Sequence, residues 1–289
     1  MKPIEISNFI FHANQSLSDF STEEPGKFKS KKEAEEKLEK NNLILADLQE
    51  KLYADNRHGL LIILQAMDAA GKDGIIKHVM NNVNPQGCQV RSFKKPSSEE
   101  LDHDYMWRCT KYLPERGNIA IFNRSYYEEV LVCRVHPELL KYQNLPVEHI
   151  NTEKFWNERY QQMVNFEKYL VENGIHVLKF FLYISKEEQK KRFLERLENS
   201  EKNWKFSASD IEERKYWEKY MEAYELMLKN TSSEHASWYV IPADKKYFSR
   251  LLVSEIIINK LNSLNLRYPE LSENEKYKIQ EAIKILKNE

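Results

Sequence analysis

Apolar residues fall into two rhythms along this chain. Over Leu60-Leu61-Ile62-Ile63-Leu64, Ile119-Ala120-Ile121-Phe122, Val177 to Ile184 and Trp238-Tyr239-Val240-Ile241 they run almost without a break, as expected of parallel strands covered on both faces. Cys88 to Phe93 alternates instead, which places it nearer a sheet edge. Elsewhere the apolar spacing is helical. Leu38, Leu45, Leu48 and Leu52 predict an amphipathic helix from Lys31 to about Asn56, and Trp156, Tyr160, Met163, Val164 and Leu170 predict a core-facing helix over 152–171. A long helix is expected from about Ser209 to Lys229. A last one follows Ser272, with Ile279, Ile283 and Leu286 on one side, and should dock on the domain or on a neighbouring molecule. Serine followed three residues later by glutamate marks helix starts at Ser97, Ser185 and Ser209. Strands alternating with helices make this a doubly wound α/β fold around a parallel sheet.

Residues 1–30 have no sustained period and read as an arm lying over the surface or onto a partner subunit, ahead of a single domain over 31–268 and a C-terminal helix over 269–289. Composition narrows the function. With 44 Lys+Arg against 45 Asp+Glu, a generally basic nucleic-acid coater is excluded, so a polyanion must be met by a local cluster. Hydrophobic residues make up 41% of the 289, which excludes a mainly disordered chain. Three cysteines without a CxxC spacing, and no basic-apolar leader, point to a reducing cytoplasm and no zinc site. No apolar run approaches the roughly 18 residues of a membrane span.

The stretch LLIILQAMDAAGKDGIIKHVM, Leu60 to Met80, joins a buried strand, a short loop and a helix. Loop amides and a helix N-terminus aimed at one point make an anion trap, to which Lys72 adds a charge that can follow a phosphoryl group. Ala69, Ala70, Gly71, Asp73 and Gly74 would surround the bound phosphates. Against the pattern GxxxxGK[ST], Ala66 replaces the first glycine and Asp73 the Ser/Thr that holds Mg²⁺. Ala66 fits only with a negative φ, since a left-handed alanine costs roughly 1 kcal/mol or more. Asp68 is the obvious substitute oxygen ligand for the metal. An ordinary strand-turn-helix with a solvent lysine is the competing reading.

The run Ile119–Phe122 leads into Asn123-Arg124 and on to Arg134. Ligands of open α/β sheets bind at strand carboxyl ends, so Asn123, a neutral oxygen donor, would face the Lys72 loop. Arg124 and Arg134 could neutralise charge on a transferred phosphoryl; surface pairing with Glu128 and Glu129 is the alternative. Lys94, Lys95 and Arg108, then Lys190, Lys191, Arg192 and Arg196, add further cations, and Lys202 to Lys205 around Trp204 could extend the positive face. Interspersed Glu187, Glu188, Glu195 and Glu198 leave a plain solvated helix open.

The strings QAMDAAGKDGIIKHVMNNVNPQGC, SFKKPSSEELDHDYMWR, GNIAIFNRSYYEEVLVCRVHPE and QKKRFLERLENSEKNWKFSASD closely resemble the family-2 polyphosphate kinases, in the same order from about residue 30 to 268. They look most like the subgroup often called class III. The resemblance implies a thymidylate-kinase-like P-loop core with a helical lid, its lid elements near 124–145 and 186–215. It implies reversible phosphoryl transfer between inorganic polyphosphate and AMP, ADP or ATP, with Mg²⁺ or Mn²⁺, guanine nucleotides as further acceptors, and a homodimer or homotetramer. Matched position by position, Asp68 and Lys72 fall at the reacting phosphates, Asn123-Arg124 on the second motif, with Asn123 beside Asp68 at the metal, and Arg134 on a lid arginine. Lys94 and Arg108 fall in stretches that touch nucleotide or phosphate, and Arg192 and Arg196 on basic positions that guide the chain. The competing activities are an ATP-dependent nucleoside monophosphate kinase and a scaffold that binds without catalysis.

Overall fold

In a computed structural model, which describes residues 4–24, 26, 30–146, 148–201, 203–205 and 207–289, the near-continuous apolar runs form one parallel sheet. In chain order the elements are α1 (Lys31–Asp55), β1 (Gly59–Ala66), α2 (Lys72–Val79), β2 (Cys88–Ser92), the short α3 (Ser98–Leu101) and α4 (Trp107–Thr110), β3 (Ile119–Asn123), α5 (Glu128–Val135), α6 (Glu153–Glu172), β4 (Ile175–Tyr183), α7 (Lys186–Glu198), α8 (Ala208–Glu213), α9 (Trp217–Thr231), β5 (Trp238–Pro242), α10 (Lys246–Asn262) and α11 (Glu273–Asn288). The strand order is β2-β3-β1-β4-β5, with every neighbouring pair parallel. All eight residues of β1 and all five of β3 are buried, whereas β2, the alternating strand, lies at the edge with four exposed residues. Helices α1, α2 and α10 pack together on one side, and α5, α6 and α9 on the other. Because β1 lies between β3 and β4, the loops that follow these three strands converge at the carboxyl edge of the sheet, where ligands of open α/β sheets bind.

The first thirty residues lie on the domain's own surface as far as they are described. Phe9, Phe11 and Leu17 are buried. Ile10 bridges Tyr239, and Phe11 N–H donates to Trp238 O at 2.9 Å, so the arm covers the otherwise open edge of β5. Two sequence readings need correction. Ser209 is not a cap: α8 starts at Ala208 with Ser207 in the cap position, and a 3₁₀ turn over Arg214–Tyr216 divides the long helix expected from Ser209 to Lys229. The C-terminal helix does not dock on the domain either. No residue of α11 is buried, and Ile279, Ile283 and Leu286 are 42%, 39% and 68% exposed. Among the described residues no helix is long and apolar enough to cross a membrane.

Candidate active site at the carboxyl edge of the sheet

The loop between β1 and α2 meets the condition set by Ala66. That residue is the last of β1, paired with Leu182, and the left-handed backbone falls instead at Ala69 (φ 62°) and Gly71 (φ 112°). Gly71 caps α2 and no side chain accepts from the first turn, which leaves those amides to a ligand. Lys72 is folded back over the loop: its ammonium donates to the carbonyls of Ala66 (2.9 Å) and Met67 (3.3 Å) and is only 9% exposed. Burial, reinforced by the nearby Arg124 guanidinium, draws its pKa down to about 8.

One strand away, β3 ends at Asn123, and Arg124 turns the chain with φ 64°. Its backbone N–H donates to Leu64 O at 3.1 Å, continuing the β1–β3 ladder by one bond. Its guanidinium reaches across to Asp68, donating at 2.6 Å, and lies 3.5 Å from Glu128 at the start of α5. Glu128 and Asp68 on either side hold Arg124 charged. Burial raises the Glu128 carboxyl above the ordinary carboxylate range, against the pull of Arg124 and Lys72. Asn123 donates its amide N–H to Asp73 at 2.8 Å. Since a carboxylate only accepts, the amide oxygen must point elsewhere, and it is buried with no partner. A single cluster thus gathers Asp68, Lys72, Asp73, Asn123, Arg124 and Glu128. The amine of Lys72 and the guanidinium of Arg124 are close enough to depress the lysine, so the two motifs read from sequence share one site.

Arg192 is also at this site, against the carbonyls of the loop. Its Nε donates to Glu188 (2.8 Å), Nη1 to the carbonyls of Ala69 (3.1 Å) and Ala70 (2.8 Å), and Nη2 to those of Ala243 (2.6 Å) and Asp244 (3.2 Å). A guanidinium has five N–H donors, and all are used. Arg192 therefore clamps the loop, whereas the resemblance implies a position that guides a polyphosphate chain. Glu188 is consequently turned away from its expected capping bond, and Asp244 accepts from Ser185 N–H in its place (2.8 Å). Arg196 pairs with Asp210 of α8 at 3.4 Å. Burial raises the Asp210 carboxyl, on which Asp68, Arg124 and Lys72 also act electrostatically. Gln189, unremarked in the sequence, is almost fully buried; it donates to Asp68 O at 3.0 Å and accepts from Arg214 at 2.6 Å.

The remaining candidates lie further out. Arg134 on α5 stands over the Trp156 ring at 5.3 Å. Lys94 is exposed; its carbonyl accepts from Arg108 at 2.6 Å, and Arg108 lies 3.6 Å from Glu100 and over the Phe93 ring. Both follow β2, whose end is joined to the site by Phe93 N–H donating to Asn123 O. Lys202 lies outside the described residues. Burial raises the thiols of Cys88, Cys109 and Cys133, as for small apolar residues rather than nucleophiles.

The oxygen donors suit a hard divalent cation shared with a substrate. Among the described residues no group of three or more Asp, Glu, His or Cys forms a protein-only cage. The unpartnered Asn123 oxygen, with Asp73 beside it and Asp68 bonded to Arg124 across the loop, could offer the one or two protein ligands that a small hard cation keeps when phosphates and water complete its shell.

Comparison with known proteins identifies the family. The family model described as Polyphosphate kinase 2 matches residues 28–269. An ADP-polyphosphate phosphotransferase of Rhodopseudomonas palustris is 54% identical over 243 residues, 84% of each chain. An AMP/ADP-polyphosphate phosphotransferase of Meiothermus ruber is 44% identical over 255 residues, 88% of this chain and 91% of the relative. The crystal structure of polyphosphate kinase 2 from Arthrobacter aurescens superposes with a TM-score of 0.89 at 37% identity, covering 98% of this chain and 97% of that one. The α/β sheet, its phosphate loop and these relatives together place the chain in the polyphosphate kinase 2 family.

Proposed function

We propose that this protein is a polyphosphate:nucleotide phosphotransferase, moving the terminal phosphoryl group of inorganic polyphosphate to AMP, ADP or both, reversibly. The observation that carries the reading is the junction of the two motifs: Arg124 on Asp68 at 2.6 Å, above a phosphate loop whose lysine feels that arginine. An acceptor phosphate is largely ionised near pH 7, so its oxygen can attack without a strong general base. The bond between the last two phosphorus centres' bridging oxygen and the terminal phosphorus breaks as the new P–O bond forms. What the site must supply is alignment and charge neutralisation. Lys72, swinging off the Ala66 and Met67 carbonyls, and Arg124, exchanging a carboxylate for phosphate, would provide the neutralisation, with Arg134 closing from α5. The α2 amides, with Ala69, Ala70, Gly71, Asp73 and Gly74, would cradle the donor, and Lys94, Arg108 and Arg196 would meet the outer phosphates or nucleotide.

Asp68 and Asn123 would hold the divalent cation, Mg²⁺ or Mn²⁺, which supplies Lewis-acid neutralisation of the phosphate oxygens when bound. A homodimer or homotetramer would give the apolar side of α11 the partner that the domain itself does not offer, and a cytoplasmic setting suits three unpaired cysteines. The deciding assay is a donor swap: AMP, ADP, GMP or GDP is incubated with polyphosphate and Mg²⁺, and the higher nucleotides are counted. Product from ATP and a monophosphate alone would assign an ATP-dependent kinase; tight binding without any product would leave a scaffold.

A further inference from the structure

The loop that presents Arg124 is strained, and the reason it holds lies deeper in the fold. A non-glycine residue at φ 64° persists only where its surroundings over-determine it. The residues that follow turn inward: Ser125, Tyr126 and Tyr127 are at most 3% exposed. Tyr127 N–H and the Gln65 amide both donate to the Ser125 hydroxyl at 3.2 Å. The phenols of Tyr126 and Tyr127 donate to the same carboxylate oxygen of Glu167, at 2.8 and 2.6 Å. Two neighbouring residues anchored on one atom leave the turn little freedom.

Glu167 is itself held by a charge in the middle of the sheet. Lys179 of β4 donates to its other oxygen at 2.6 Å, to the Tyr127 hydroxyl at 3.0 Å and to Thr231 O at 2.7 Å. All three ammonium protons are thereby used. Neither side chain of the pair has any exposure. Taking two such ions out of water is costly, and a packed apolar pair often serves stability as well. A buried ion pair at this place calls for a role other than stability, and besides Thr231 its hydrogen bonds run to the two tyrosines, which follow Arg124 by two and three residues. We propose that Lys179 and Glu167 are positioning residues: through Tyr126 and Tyr127 they hold Arg124 in its left-handed conformation and keep its guanidinium at the reacting phosphates. This rests on the part given to Arg124 above.

The test is a double-mutant cycle. Tyr126→Phe/Tyr127→Phe removes only the two hydroxyls and conserves the packing. It is expected to lower kcat by roughly 10- to 100-fold, the scale of a small misplacement of a catalytic group, with KM for nucleotide and polyphosphate little changed. In an Arg124→Ala background the same pair should lower kcat by no more than about twofold further, because independent sites add and coupled ones do not. An unchanged kcat with a lowered melting temperature would reduce the network to a core contact and overturn the proposal. So would losses that multiply in the Arg124→Ala background. Should Arg124→Ala alone turn over at the wild-type rate, the part assigned to Arg124 fails first, and the proposal with it. If the tyrosine pair does not fold, the charge-matched Glu167→Gln/Lys179→Met variant is read by the same cycle with the same two outcomes.

Discussion

Arg192→Lys offers the sharpest separation between a loop clamp and a phosphate ligand. Arg192 is 5% exposed and spends five donors on Glu188 and the carbonyls of Ala69, Ala70, Ala243 and Asp244. A lysine has three donors and no fork, so at least two acceptors lose their partner, each costing about 1–3 kcal/mol where buried. Losses of about 3 kcal/mol, with Ala69 no longer held left-handed, correspond to a melting temperature lower by roughly 5–10 °C for a domain of this size. The charge is retained, so the ionic-strength dependence of KM for polyphosphate should keep its slope while kcat falls for every acceptor. Calorimetric or fluorescence melting and steady-state kinetics over a salt series give both quantities. A variant with wild-type stability and a raised KM for polyphosphate would refute the clamp and return Arg192 to the substrate side.

Lys72→Met should abolish turnover and leave the fold intact, checked by activity beside the melting curve. In the wild type, kcat/KM should fall as pH rises through about 8, where the free enzyme loses the Lys72 proton; a profile flat well into the alkaline range would detach Lys72 from the reaction. The same depressed pKa also sets a stability trend. The unfolded lysine keeps its proton up to its usual 10.5, so burying the charge disfavours folding below about pH 8. That penalty, at most about 3 kcal/mol, fades as pH climbs toward the unfolded value. Denaturant titrations at neutral and alkaline pH should show the slope in the wild type and not in Lys72→Met. KM for long polyphosphate should rise steeply with salt, since a long chain displaces condensed counterions; salt-independent KM would argue against an extended basic contact.

Much of the fold was legible because burial writes itself into the sequence as continuity. The four near-continuous apolar runs are the inner strands and β5, and the alternating one is β2 at the opposite edge. The phosphate loop was equally plain, since glycine, lysine and helical spacing are local signals. What sequence alone could not supply was direction. Arg192 and Arg196 share a helix face by spacing, yet one clamps the loop from beneath and the other meets Asp210. That choice is made by carbonyls of Ala69, Ala70, Ala243 and Asp244, and backbone atoms carry no sequence signature. Gln189 was invisible for the same reason: its partner is the carbonyl of Asp68. Lys179 sits inside an apolar strand, where a charge is a local contradiction; such conflicts tend to mark function or a satisfied network. That signal is present in the sequence. Arg124 at φ 64° follows from neither composition nor period, only from what surrounds it.

The charges at the site also imply an order of binding. Asp68, Asp73 and Glu128 stand beside Lys72 and Arg124, and both cations are already engaged, one by carbonyls and one by carboxylates. A polyphosphate chain arriving alone would meet carboxylates first, and a like-charge pair at 4 Å costs about 4 kcal/mol at the dielectric of a protein surface. Neutralising Asp68 frees Arg124 to turn toward phosphate, so divalent cation and polyphosphate should bind synergistically, beyond the charge compensation they share in solution. Asp68→Asn then has effects of opposite sign in two conditions. Without divalent cation it removes a repelling carboxylate and leaves Arg124 held by Glu128 alone, so polyphosphate should bind more tightly than to wild type; with saturating Mg²⁺ it lacks the proposed metal ligand, and polyphosphate should bind more weakly. Isothermal titration of polyphosphate into both proteins, with EDTA and with Mg²⁺, reads the crossing directly. Weakening by the same factor in both conditions would mean that Asp68 neither screens Arg124 nor holds the metal.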